Sequence, residues 1–210
     1  KVVGESLLRY CQKDGLRLHV RRVVEIMLKC ALALDYVHRN GVLHKDIKPS
    51  NIMLKGDGAP KLMDFGIAAM GAAATERQRI VAGSPMYMSP EQLRGESLGP
   101  ASDLYSLGAV MYQLLSGEQP FNASTPQDLF RQIKHEPPRS LRGFRADLPE
   151  PLYDIVERLL TKDAPSRFAS GRDLAEALSH SLEFGKKGSR RKRLAMSQES
   201  LKKLRFFSAF

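Results

Sequence analysis

The sequence predicts a mainly α (α+β) fold: a helical body with a few short strands grouped around one polar loop. Three observations carry this. From Val20 to His38, apolar residues at 20, 23, 24, 27, 28, 31, 34 and 37 recur with the helical period. Around Asp103–Ser116, Leu104, Leu107, Val110, Met111, Leu114 and Leu115 nearly encircle the predicted helix, which marks it as buried. Short apolar runs at 42–43, 52–54 and 61–63 are too brief for helices and are separated by polar and turn residues.

The helix from Val20 ends at Asn40-Gly41, where glycine or asparagine can take the left-handed conformation that stops a helix. Val42-Leu43 and Ile52-Met53-Leu54 read as strands, and Gly56-Asp57-Gly58 as a turn into a third strand that ends at Asp64. Residues 67–90 are rich in Ala, Gly, Ser and Met without a period, which predicts a long exposed loop. The buried helix breaks at Gly117-Glu118-Gln119-Pro120-Phe121, and helices are expected over 125–135, 149–161 and 171–182, with Pro137-Pro138 and Ala164-Pro165 as stops. There is no internal repeat.

Composition narrows the class. Of 210 residues, 42% are apolar and 27% charged, so wholesale disorder is excluded and a packed core is affordable. The net charge of +10 is concentrated: residues 185–210 hold nine Lys or Arg against Glu199 alone, leaving +2 for the rest. A near-neutral body with a basic tail does not predict a specific nucleic-acid partner, which would need a basic face. Cys11 and Cys30 form no metal-ligand spacing and read as reduced thiols of a cytoplasmic protein. No apolar run predicts a membrane span.

The chemistry concentrates in His44-Lys45-Asp46-Ile47-Lys48-Pro49-Ser50-Asn51, followed thirteen residues later by Asp64-Phe65-Gly66. An acid, a cation and an amide on one loop, with a second acid after a short strand, are the parts phosphoryl transfer requires. The carboxylate takes a hydroxyl proton, the cation meets the migrating group, and the oxygens hold a hard divalent ion.

These two stretches resemble, in order, the catalytic-loop and D-F-G signatures of a serine/threonine protein kinase. Gly83-Ser84-Pro85-Met86-Tyr87-Met88-Ser89-Pro90-Glu91 resembles the substrate-docking end of that family's activation loop, with Ser89 where alanine is usual. Ser102-Asp103-Leu104-Tyr105 and Met88-Ser89-Pro90-Glu91-Gln92 are similar to the bacterial branch. The resemblance covers residues 1–184 and implies the larger, C-terminal lobe of the fold, from hinge to last helix. It also implies ATP as phosphoryl donor, Mg²⁺ with Mn²⁺ as an alternative, and protein Ser/Thr hydroxyls as acceptors.

Residue by residue, the resemblance assigns Asp46 as the base and Lys48 as the phosphoryl cation. Asn51 and Asp64 become metal ligands. Met53 forms the floor under adenine; Gly4-Glu5-Ser6-Leu7 resembles the turn just after the hinge, with Val2 meeting adenine through its backbone and Ser6 near the ribose. It makes His44 a packing residue rather than a base, and gives Ser84 a hydroxyl bonded to both Asp46 and Lys48. Glu91 and Arg167 become a buried ion pair, and Asp103 a brace beneath the catalytic loop. Lys45 replaces the arginine with which many relatives clamp a phosphorylated loop, and a lysine point charge lacks arginine's two-pronged fork. Phosphorylation of Thr75 or Ser84 is therefore expected to activate weakly or not at all; a large gain in kinase activity on Thr75 phosphorylation in the full-length protein would contradict this.

The family's glycine-rich loop, strand lysine and helix glutamate are not found in this stretch, so the smaller lobe is expected to lie upstream and the chain alone to transfer phosphate negligibly. The alternative is a pseudokinase scaffold that binds without transfer; intact Asp46, Lys48, Asn51 and Asp64 oppose it. Residues 185–196 are expected to form a basic linker, and 197–210, with Leu201, Leu204, Phe206, Phe207 and Phe210, to open a further, regulatory domain or a docking helix.

Overall fold

A computed structural model describes residues 4–14, 17–65 and 85–182. Val2, Gly66, Thr75, Ser84, the basic linker and the aromatic terminus lie outside the described residues.

The first described element is strand β1 (Gly4–Ser6), where the resemblance implied a turn, and it continues into helix α1 (Leu7–Asp14). Ser6 makes the junction, its Oγ accepting from the N–H of Arg9 at 3.3 Å. Helix α2 (Val20–Arg39) follows the predicted period and buries Val23, Val24, Met27, Cys30, Ala31 and Leu34. It stops at Asn40, and Gly41, at φ 73°, turns the chain with its N–H on the His38 carbonyl at 2.9 Å. Only glycine takes that angle without a Cβ penalty.

Strands β2 (Ile52–Lys55) and β3 (Pro60–Leu62) complete a three-stranded antiparallel sheet in the order β1-β2-β3. Ile52 and Leu54 face the core, whereas Met53 is only partly buried on the opposite face. The register sets Ser6 opposite Met53, so the two share that face. Two expectations are corrected here. Val42-Leu43 is not a strand, because the next backbone N–H groups, of His44 and Lys45, go to the Asp103 carboxylate instead of a neighbouring strand. The third strand ends at Leu62 rather than Asp64, whose φ of 58° breaks the extended conformation.

Of the stretch read as an exposed loop, residues 85–90 lie within the described residues and are not all exposed. A short 3-10 turn, Pro85–Tyr87, buries Tyr87, whose hydroxyl donates to Gln113 Oε1 at 2.6 Å, and α3 (Pro90–Arg94) starts there. Ser89, in the place of the usual alanine, caps α3: its Oγ accepts from Gln92 N at 3.3 Å.

Helix α4 (Pro100–Ser116) is the axis of the lobe, with every residue from Ser102 to Ser116 buried. Around it pack α2 and α6 (Glu150–Leu159), and α5 (Pro126–His135) packs against α3. Gly108 lets α4 and α6 meet closely, since a Cβ there would stand 2.6 Å from Leu159 Cβ. Helix α7 begins at residue 171, as expected, and continues to residue 182, where the described residues end. Among the described residues no helix is long and apolar enough to cross a membrane.

Candidate active site

The predicted polar residues converge where the loop after α2 meets the sheet. Asp46 Oδ2 receives two donors, Lys48 Nζ and Asn51 Nδ2, each at 2.8 Å. Asn51 Nδ2 also donates to the Asp46 carbonyl at 2.9 Å. Two oxygens on one side of the amide fix its orientation: nitrogen toward Asp46, Oδ1 turned the other way. Asn51 therefore offers an oxygen, the donor a hard divalent cation prefers. Its carbonyl accepts from Met63 N at 2.9 Å, which brings the chain at Asp64, an exposed residue, beside the loop. An amide oxygen and a carboxylate are donor types that suit Mg²⁺, which would take its remaining ligands from phosphate and water.

The loop is held from beneath by Asp103, in the first turn of α4. Its carboxylate accepts from His44 N at 2.8 Å, Lys45 N at 2.7 Å and His38 Nε2 at 2.8 Å, and it is 2% exposed. A carboxylate at a helix N-terminus is also favoured by the helix dipole. His38, at the end of α2, was not singled out from sequence; its link to Asp103 spans 65 positions and leaves no local signal.

His44 is fully buried, and burial pushes its imidazole below the ordinary histidine range despite the opposing pull of Asp103. A neutral ring suits what surrounds it: Nδ1 accepts from Asp46 N at 3.4 Å, and the ring lies 4.5 Å from that of Phe65. Lys45 presents its side chain to solvent and carries a φ of 66°. Positive φ at Lys45 and Asp64, neither a glycine, places backbone strain on both sides of Asp46 and Asn51.

The Arg167 guanidinium is fully buried against Glu91, with Nη1 2.7 Å from Oε1 and Nη2 3.0 Å from Oε2. It lies below the site and joins α3 to the chain after α6. Ser6 and Met53 sit side by side on the open face of the sheet. Among the described residues no group of three or more His, Cys, Asp or Glu could hold a metal by itself.

Comparison with known proteins agrees with this architecture. The sequence profile of the "Protein kinase domain" family matches residues 2–182. The chain is 37% identical over 178 residues to a protein named serine/threonine-protein kinases drp72 from Corynebacterium efficiens, covering 84% of this chain and 33% of that protein. It is 37% identical over 177 residues to serine/threonine-protein kinase PknB of Mycolicibacterium smegmatis, covering 82% of this chain and 28% of PknB. The chain thus spans a third or less of the length of these relatives. The crystal structure of the Mycobacterium tuberculosis PknI kinase domain superposes with a TM-score of 0.68 at 30% identity, covering 86% of this chain and 64% of that one. With the profile match running from the first strand through α7, and the loop motifs in matching order, this chain belongs to the protein kinase family.

Proposed function

We propose that the full-length protein is an ATP-dependent serine/threonine protein kinase, acting in the cytoplasm, and that residues 1–184 form its larger lobe. The carrying observation is the convergence of Lys48 Nζ and Asn51 Nδ2 on Asp46 Oδ2. In this reading Asp46 orients the acceptor hydroxyl and takes its proton as the phosphoryl group leaves. Lys48, 18% exposed at the side chain, swings between Asp46 and the migrating phosphoryl. Asn51 and Asp64 hold Mg²⁺, or Mn²⁺ in its place, which offsets charge on the phosphate oxygens when bound. Met53 forms the apolar floor for adenine, with Ser6 opposite it toward the ribose and Val2 before them. Lys48, two positions after Asp46, supports serine and threonine as acceptors, as does the serine/threonine kinase name carried by both curated relatives.

The test is incubation of the full-length protein with Mg-ATP carrying labelled γ-phosphate and a generic basic protein. Label in phosphoserine or phosphothreonine is the expected result. No label, with ATP still bound, would overturn transfer and favour a scaffold.

A further inference from the structure

We infer that Gln92 is a positioning residue for the transfer step, holding the peptide that carries Asp46 through the Lys45 carbonyl. The inference rests on the kinase reading above.

Gln92 occupies the third position of α3, where a capping box calls for Gln or Glu. Its Oε1 accepts from Ser89 N at 2.9 Å, completing the box with Ser89. The cap uses only the oxygen, and glutamate would serve it equally. The amide nitrogen does something the cap does not require: Nε2 donates to the Lys45 carbonyl at 2.8 Å, across 47 positions of sequence. Its two neighbours, an N–H on one side and a carbonyl on the other, fix which end of the amide faces which.

The bonded peptide is the one at stake. Lys45 sits at φ 66°, a conformation that a non-glycine residue keeps only when its surroundings enforce it. Asp103 fixes the N–H side of Lys45 at 2.7 Å, and Gln92 fixes the carbonyl side. Rotation of the Lys45–Asp46 peptide would break the Gln92 bond and the contact from Asp46 N to His44 Nδ1. The same rotation would swing the Asp46 carboxylate away from Lys48 and Asn51. Gln92 also belongs to the segment that begins at the buried Tyr87, so this bond ties the loop carrying the base to the segment expected to meet the protein substrate.

Two substitutions separate capping from positioning in the full-length protein. Gln92→Glu keeps an oxygen for Ser89 N and loses the donor to Lys45; Gln92→Met loses both. The expected melting order is wild type highest, Gln92→Glu lower because one hydrogen bond is lost and a carboxylate oxygen faces the Lys45 carbonyl, and Gln92→Met lowest because the cap is lost as well. The expected order in kcat, at saturating Mg-ATP and peptide, is wild type about tenfold above both variants, as the loss of one hydrogen bond predicts, with KM for ATP unchanged. A Gln92→Glu variant with wild-type kcat, or a kcat that follows the melting temperature across the three proteins, would overturn the inference while leaving the kinase reading intact. A wild-type protein that transfers no phosphate overturns both.

Discussion

Asp46→Asn in the full-length protein should lower kcat by about 10²–10⁴, the usual contribution of a positioned general base, while leaving the melting temperature and KM for ATP near wild type. The substitution is nearly isosteric, so the loop keeps its path: Asp103 still holds the N–H groups of His44 and Lys45, and Asn51 still reaches the residue-46 carbonyl. What changes is the face toward the substrate. An amide cannot take up the hydroxyl proton, and it either turns its nitrogen toward Lys48 and Asn51 or presents a neutral oxygen to the Lys48 ammonium, now 2.8 Å from a carboxylate. Kinetics at saturating peptide and circular dichroism melting are the checks. A variant within about threefold of wild-type kcat would remove Asp46 from the chemistry, since even the low end of the range exceeds that loss.

How much of this could be read from sequence depended on the range of each interaction. Asp46, Lys48 and Asn51 lie within six positions of one another, so their spacing alone brought them together. Helix α2 was legible because its core stripe repeats over five turns, and α4 because apolar residues surround it. Strand β1 was not: Gly4–Ser6 is three residues long and is defined by pairing with β2 some fifty positions away. Val42-Leu43 looked like a strand because two apolar residues suffice for the pattern, while the decisive fact, that Asp103 claims the following N–H groups, lies 58 and 59 positions off. Ser89 to Gln92 carries the capping-box spacing and could have announced α3. The second bond of Gln92 could not be anticipated, because nothing near residue 92 reveals the φ of Lys45.

Removing one member of the Glu91–Arg167 pair should cost more stability than any substitution on the surface. Arg167→Met is expected to destabilise the fold by roughly 3–5 kcal/mol, the range for stranding a buried charge, a large share of the ~5–15 kcal/mol typical of a domain. The geometry explains why. All five N–H donors of the guanidinium are engaged: Nε on Thr161 O at 2.8 Å, Nη1 on Glu91 and Ala101 O at 2.9 Å, Nη2 on Glu91 and Lys162 O at 3.1 Å. Arg167 thereby fastens α3, the start of α4 and the chain after α6, and its guanidinium lies 4.8 Å from the centre of the Tyr105 ring. Burial alone would push the Glu91 carboxyl upward, but the hydrogen bonds and charge of Arg167 outweigh it and hold the group below the ordinary carboxylate value of 4.5. With the folded value depressed, the pair's contribution is complete above about pH 4.5 and is lost as pH falls through the folded value. In Arg167→Met the sign reverses, because an unpaired buried carboxylate gains by taking a proton. The stability gap between the two proteins should therefore narrow on acidification, first above about pH 4.5, as Glu91 of the variant takes its proton, and then below it, as the wild-type pair is lost. Urea unfolding followed by far-UV circular dichroism measures it, since the chain has no tryptophan. Changing Glu91 to Met as well removes both charges and should recover part of the loss. Recovery should stay incomplete, because the carbonyls of Thr161, Ala101 and Lys162 lose their donors whichever residue replaces Arg167. A full recovery would mean that the ion pair alone, and not the carbonyl set, fastens the three segments; a single-variant cost under about 1 kcal/mol, the level of an exposed pair, would mean that water reaches the site.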